Sequence, residues 1–453
     1  MKAKAKFSIS TSHIIMLSFL AAILIGSLLL SLPISWAEGV KISYLDALFT
    51  STTATCVTGL VTVPTFSGWS IFGQAVILVL IQIGGLGIIT VMSGFMIAFH
   101  KKMNLGDRLL IQDAFNLNNL SGLIRFVKKV LAGTFIIEFI GALLYMPVFV
   151  KDFGLKGVWI SIFNSVSAFC NAGIDIIGPN SLNDYAKNPV INLVTILLII
   201  LGGIGYIVWW DVIRVTKNIK KGGLSVFRRL TLHSKLAIIT TLLLIFGGAV
   251  LIFIFEYNNP LTFKDYTLFQ KIQSSFFQSV TTRTAGFTTM PQENFTNPSA
   301  FLSIFLMFIG GSPVGTAGGV KTVTLLILFA SAFATISGRN ETSLMNRNIT
   351  KESIAKALAV VSMSFLTVFV STVLLSVCSN SSPIDILYET VSATATVGLT
   401  RNFTASLNSV GKLIIIATMY LGRIGPISLA IAFNFKKVNK NIIKNPFEDI
   451  SIG

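Results

Sequence analysis

The chain has 453 residues, 53% of them hydrophobic and only 12% charged, with a mean hydropathy of +0.78. Soluble domains carry about 25% charged residues, so the composition excludes an ordinary soluble protein and points to an integral membrane protein. A net charge of +17 would suggest nucleic acid as partner in a soluble chain, but its distribution argues otherwise.

Three lysines in residues 2–6 precede an apolar run from Ile14 to Ile34. The layout imitates a secretory leader, yet the run exceeds the usual 7–15 residue leader core, so an uncleaved first span is expected. From Ala47 to Phe99 there is no Lys, Arg, Asp or Glu, a length that suits bilayer-crossing segments. Together, apolar spans near 14–36, 69–99, 130–149, 189–210, 236–255, 298–335, 357–377 and 410–435 predict eight crossings. Lys and Arg gather between pairs of spans: six in 101–129, seven in 214–235, four in 339–356 and four in 436–444. This is the positive-inside pattern, which places those connections and both termini in the cytoplasm. It accounts for the charge by a lipid bilayer, with no nucleic acid. The basic connections are also amphipathic, as interfacial helices or as a docking surface for a cytosolic regulator. Cys56, Cys170 and Cys378 lack metal-ligand spacing and frame no disulfide pattern, and His13, His100 and His233 stand apart.

One phrase recurs four times: LFTSTTATCVTGL (48–60), IFNSVSAFCNAGI (162–174), SFFQSVTTRTAGF (275–287) and LYETVSATATVGL (387–399). The anchors Gly59, Gly173, Gly286 and Gly398 are 114, 113 and 112 residues apart, so the chain is an internal repeat. Its units are 1–102, 103–222, 223–338 and 339–453. Each reads as a span, a short semi-polar helix, the glycine motif and a second span. The expected fold is therefore an all-α membrane protein of eight transmembrane helices with pseudo-fourfold symmetry. Two crossings per repeat keep every repeat in one orientation, unlike inverted-repeat transporters. Non-helical backbone at membrane depth survives only where it is buried in protein or lines a watery path. Four such segments meeting on one axis can replace the hydration shell of a cation with carbonyl oxygens. Glycine reaches positive φ without a Cβ penalty, and each short helix would aim its negative end at the cation. The candidate filter is Val57, Thr58 and Gly59; Asn171, Ala172 and Gly173; Thr284, Ala285 and Gly286; Thr396, Val397 and Gly398. The bland alternative is four re-entrant turns with no role in permeation. Because the four segments differ, a loose filter is expected.

Glycine clusters follow at 84–87, 202–205, 310–319 and 422–425. For the first two, close helix packing through small residues is the simpler reading. The third, GGSPVGTAGG, holds five glycines and a proline and cannot continue a straight helix. It reads as a loop across the path below the filter, a gate built from Gly310, Gly311, Ser312, Gly315, Thr316, Ala317, Gly318 and Gly319, or else as a passive kink. Lys321 and Arg423 lie within spans, where a charge costs at least ~2.5 kcal/mol and so needs a role or partner. Arg423 would repel cations and hold the loop by its carbonyls; both cations have snorkelling as the alternative. Arg283 shares the slot of Cys56, Cys170 and Ala395, so its side chain should turn away from the axis, toward Glu389 or Glu293. Cys56 and Cys170 read as small packing residues. A solute-coupled transporter would want intramembrane acids, of which Glu138 alone lies well within a span. An enzyme would want a nucleophile, base or metal set, and none converges.

The motifs TCVTGL, FCNAGI, TRTAGF and TATVGL, with the length and span count, resemble the Trk/Ktr/HKT cation-transport proteins, above all the membrane subunits of bacterial Ktr potassium uptake systems. The resemblance covers nearly the whole chain. It implies potassium as the permeant ion, because glycine stands at all four anchors where sodium-preferring members carry Ser at the first. It also names the 310–319 loop and the arginine at 423 as the gate. It further implies a bacterial cell membrane location, a homodimer with one pore per protomer, a C-terminal tail at the dimer interface, a cytosolic nucleotide-binding ring of the KtrA type and dependence on sodium. No enzyme activity or bound organic cofactor is expected.

Overall fold

The computed structural model describes residues 11–101, 104–114, 122–217 and 227–425. The expected C-terminal tail contact, the basic cluster at 436–444 and the end of the last span lie outside them. In chain order the helices are α1 (Thr11–Leu30), α2 (Tyr44–Cys56), α3 (Ile71–Leu86), α4 (Ile88–Ala98), α5 (Leu105–Ala114), α6 (Leu123–Phe153), α7 (Lys156–Cys170) and α8 (Pro189–Gly203). There follow α9 (Tyr206–Thr216), α10 (Leu232–Glu256), α11 (Leu268–Thr281), α12 (Asn297–Phe308), α13 (Thr322–Ile336), α14 (Lys351–Cys378), α15 (Pro383–Thr394) and α16 (Ser409–Ile424). A two-residue hairpin, β1 (Ser343–Leu344) with β2 (Arg347–Asn348), separates α13 from α14. Among the described residues α1, α6, α10 and α14 are long and apolar enough to cross a membrane. They turn Leu24, Phe139, Phe246 and Phe365 outward, as hydrocarbon surroundings require. The protein is a mostly helical, multi-pass membrane protein.

Behind each of these helices a short one folds back: α2, α7, α11 and α15. Hydroxyls at their N-caps start three of them, Ser43 for α2, Thr267 for α11 and Ser382 for α15, satisfying amides that would otherwise be orphaned. Buried hydroxyls then pin the short helices to the long ones. Ser51 donates to the Ile23 carbonyl at 2.6 Å, Ser165 to that of Glu138 at 2.6 Å and Ser279 to that of Ile245 at 2.8 Å. In the fourth unit Thr390 and Thr372 pair through their hydroxyls at 2.8 Å. Glycines on the long helices permit this approach: a Cβ on Gly26 or Gly248 would stand 2.5 Å from Ser51 or Ser279 Oγ.

The two early glycine clusters pack closely, as read, and also break their helices. The helix pairs α3–α4 and α8–α9 each bend by 98° at them. Each cluster performs two tasks at opposite ends. Its first glycine, Gly84 or Gly202, lies where a Cβ would collide with the carbonyl of Thr55 or Phe169; its last, Gly87 or Gly205, has φ of 81° or 94° and lets the chain turn. Gly422 and Gly425 repeat the pattern, the former against Thr394 and the latter at φ 84°. In the third unit the break widens into the loop between α12 and α13.

Contacts at the capped ends of the short helices link the units in a circle. Trp159 donates to Gln74 at 2.9 Å, Leu182 N to Thr288 O at 3.0 Å, Arg401 to Gln292 O at 2.8 Å, and Lys412 to Asp46 at 2.6 Å. The last closes first unit on fourth, 366 residues apart.

The two neighbouring glycines of α10 separate packing from backbone freedom. Gly247 has nothing within 4 Å of an added Cβ, whereas Gly248 faces Ser279. Gly248→Val should lower stability by about 1–3 kcal/mol through overpacking, and Gly247→Val should not. Thermal unfolding of both variants in detergent checks this, and equal losses would refute it.

Candidate functional site

Each glycine motif leaves its helix through the same backbone path. Val57, Asn171, Thr284 and Thr396, two residues before the anchors, have φ of 57°, 59°, 68° and 52°; the anchors have 100°, 63°, 79° and 96°. Non-glycine residues occupy this left-handed region only when the surroundings hold them. Here they are held from behind. Thr58, Ala172 and Val397 amides donate to the carbonyls of Thr53, Ser167 and Ser392, each at 2.8 Å. The hydroxyls of the same residues accept from Gly59 N at 2.9 Å, Ile174 N at 3.1 Å and Gly398 N at 3.0 Å. With the amides bound toward the helix, successive carbonyls face the other way.

The third unit differs. Ser279 stands seven residues before its anchor, where Ser51, Ser165 and Thr390 stand eight before theirs, so this segment is one residue shorter. Thr281 takes over the backing, accepting from Ala285 N at 2.9 Å and donating to Phe287 O at 2.7 Å.

The four segments meet. A Cβ on Gly59 would lie 2.6 Å from Ala172 O, one on Gly173 2.5 Å from Ala285 O and one on Gly286 2.5 Å from Val397 O; one on Gly398 would collide with Thr58 O. Each anchor therefore abuts the penultimate carbonyl of the next unit, and the circle closes. The eight non-glycine candidates beside them are all buried. Among the described residues no group of three or more His, Cys, Asp or Glu comes together.

Directly beneath lies the 310–319 loop, its ends tied by Gly310 N to Val320 O at 3.0 Å and Val320 N to Phe308 O at 3.1 Å. Ser312 N and Thr316 N donate to Gly203 O and Gly202 O at 2.8 and 3.1 Å, and Thr316 Oγ1 to Phe169 O at 3.1 Å. Gly318 N donates to Thr284 Oγ1 at 3.2 Å, and a Cβ on Gly318 would lie 2.7 Å from Ala395 O. Lys321 Nζ caps the loop from inside, on Ala317 O at 2.5 Å and Gly318 O at 3.2 Å. Arg423 donates to Thr316 O at 2.9 Å and also to Gly84 O. The second, third and fourth units thus hold the loop directly, and the first is joined to it through Arg423. A cavity of about 760 Å³ adjoins it, lined in part by Gly87, Tyr206, Val314, Lys321 and Arg423.

Arg283 does turn from the glycine ring, but the expected partners are wrong. Its guanidinium donates to Gly310 O at 3.3 Å and Thr241 Oγ1 at 3.4 Å. Glu389 instead accepts from Thr400 Oγ1 at 2.6 Å and from Thr404 Oγ1, while the backbone of Glu293 takes Arg401 at 3.3 Å. The shortened third segment ends α11 at Thr281 and leaves Arg283 in the turn, facing the start of the loop. Cys56 and Cys170 are fully buried. Glu138 turns inward to accept from Gln82 Nε2 at 3.1 and 3.3 Å. The sequence reading missed Thr53, Ser167, Thr281 and Ser392, although a hydroxyl six residues before three of the anchors was visible.

A family profile described as TrkH, cation transport protein, matches residues 2–444. The chain belongs to the TrkH family of cation transport proteins. The Ktr system potassium uptake protein B of Bacillus subtilis is 37% identical over 97% of this chain and 96% of its own length. The potassium/sodium uptake protein NtpJ of Enterococcus hirae is 37% identical over 100% and 99%. The crystal structure of the potassium transporter TrkH from Vibrio parahaemolyticus matches with a TM-score of 0.73 at 17% identity, covering 95% of this chain and 86% of that one, which shows the fold. This TrkH-family chain is a transport protein and not an enzyme.

Removing the Arg283 guanidinium (Arg283→Met) leaves Gly310 O unpaired at the root of the loop, a loss of about 1–3 kcal/mol. Because Glu389 is no partner, Arg283→Met and Glu389→Gln should be additive within about 0.5 kcal/mol. Unfolding of the two single variants and the double variant reports this, and larger coupling would restore the ion pair.

Proposed function

We propose that the chain is the potassium-translocating, channel-like membrane subunit of a K⁺ uptake system. The observation that carries this is the closed circle of four glycines, each against a carbonyl of the next unit. Carbonyl rings of this kind exchange an ion's water shell for peptide oxygen. Val57–Gly59, Asn171–Gly173, Thr284–Gly286 and Thr396–Gly398 are then the selectivity filter, one glycine per unit. The four units form an eight-helix pore with pseudo-fourfold symmetry, in which bent and interrupted second spans complete the crossings. The names of the relatives favour potassium; the printed name of NtpJ also carries sodium, in keeping with the sodium dependence inferred above.

The loop from Gly310 to Gly319, with Lys321 and Arg423, is the proposed gate. It lies under the filter and is hydrogen-bonded at several points, so opening must break a small, countable set of bonds. Arg423 adds a fixed positive charge below the ring, which opposes cation passage while the loop is in place. The relatives of the Ktr system favour a multi-component assembly: a homodimer on a cytosolic nucleotide-binding ring of the KtrA type. The site of action is the bacterial cell membrane with both termini in the cytoplasm, in accord with the positive-inside pattern.

Isotope flux in proteoliposomes tests the reading. The chain should pass potassium and rubidium in preference to sodium, and Gly59→Ser should reduce that preference by roughly tenfold, the equivalent of about 1.4 kcal/mol. Unchanged selectivity after substitutions at two anchors would remove the filter assignment. Deleting Thr316–Gly318 should leave a folded protein with raised flux, and flux equal to the parent's would remove the loop from gating.

A further inference from the structure

Glu389 has no role in the reading so far. It lies on α15, nine residues before Gly398, and is fully buried. Its carboxylate accepts from Thr400 Oγ1 at 2.6 Å and from Thr404 Oγ1. Thr400, two residues beyond the anchor, also accepts from the amides of Phe403 and Thr404 at 3.1 and 3.3 Å. The strand leaving the fourth glycine is therefore fastened to the carboxylate behind it. Among the described residues Glu389 forms no ion pair; the nearby Arg401 is taken by Asp385 and two carbonyls.

A buried carboxylate with only neutral donors is costly, and a Gln would accept a hydrogen bond there without the charge. The corresponding positions of the other short helices, allowing for the shorter third segment, are Thr50, Asn164 and Gln278, all neutral. The charge is confined to one of these four positions, and among the described residues no ion pair balances it. We propose that Glu389 is the fixed counter-charge for a monovalent cation at the outer end of the glycine ring, positioned through Thr400, and so sets the apparent affinity for K⁺. This rests on the filter reading above and adds a residue to it.

The test is K⁺ uptake by the full-length chain in proteoliposomes. A unit charge acting over on the order of 10 Å at an effective dielectric of about 20 shifts an affinity by roughly tenfold. Glu389→Gln, which keeps the shape, should therefore raise KM for K⁺ roughly tenfold and leave kcat little changed, the signature of lost binding. Glu389→Asp should restore much of the KM, and Thr400→Val, which keeps the charge and removes the fastening, should leave KM within about twofold while lowering K⁺ over Na⁺ preference. An unchanged KM in Glu389→Gln, a fall in kcat alone, or equal KM in Glu389→Gln and Thr400→Val would overturn the proposal and leave Glu389 a brace. If Glu389→Gln does not fold, the Asp and Val variants decide it by the same two values. Gly398→Ser separates the layers: if it changes selectivity while Glu389→Gln leaves KM alone, only this inference fails; if it changes nothing, the filter reading fails with it.

Discussion

Everything in this molecule follows from bringing four backbone segments within van der Waals reach of one another in a closed circle. A Cβ at any anchor would overlap a carbonyl of the neighbouring unit, so any larger residue must displace the ring as well as adopt the glycine φ. The demand spreads outward. To leave carbonyls facing the circle, the amides must be consumed on the helix side, which is why Ser and Thr crowd the ends of α2, α7 and α15. To set those helices at the right depth, further hydroxyls must reach the long helices, which requires glycines there. The hydroxyls named here are tolerated in a membrane interior because they are tied to backbone groups.

The same constraint governs the level below. The carbonyls that end α2, α7 and α15 are met by the first glycines of the clusters, Gly84, Gly202 and Gly422, and Gly87 and Gly205 turn the chain aside. Broken second helices are thus a consequence of packing them under a short helix that terminates inside the membrane. In the third unit the shorter segment breaks this pattern. There the break becomes a ten-residue excursion between Ile309 and Val320, closed at its neck by a parallel bridge. The unit that departs from the repeat is therefore the one that supplies the loop, and Arg283, the odd residue of its motif, anchors the loop at Gly310.

Much of this was legible in the sequence because it is written as repetition. The four anchors, the four long apolar helices and the unhelical stretch at 310–319 all came from spacing and composition; the structure has long apolar helices at those spans, no helix between Phe308 and Thr322, and the four anchors in mutual contact. The pairing of Arg283 failed because counting residues back from the glycine assumes equal segment lengths. That assumption put Arg283 level with Cys56 and invited a pairing with Glu389, whereas contacts of Ser279 and Thr281 show the third segment one residue short. The 98° bends were also missed, since GGLG and GGIG fit close packing equally well, and only the φ of Gly87 and Gly205 separates the two uses within one cluster. Backing hydroxyls were seen as a semi-polar trend, because a hydroxyl's partner in a fold is set by depth and rotation, which a repeat alone does not specify.

Arg423 bridges Gly84 O in the first unit and Thr316 O in the loop of the third, while Lys321 holds two more loop carbonyls. Carbonyls are the group that the ring above would offer to a passing ion, so below the ring the protein satisfies its loop carbonyls with its own cations. On the proposed reading the closed state is a competition between two kinds of positive charge for peptide oxygen, fixed below and mobile above. A mobile cation loses that competition at the loop because the guanidinium and ammonium are covalently tethered and already desolvated, so their cost was met on folding. Opening therefore has to move the oxygens away from Arg423 and Lys321 rather than neutralise the side chains. That is a displacement of the loop backbone, which five glycines in ten residues make unusually easy to shift.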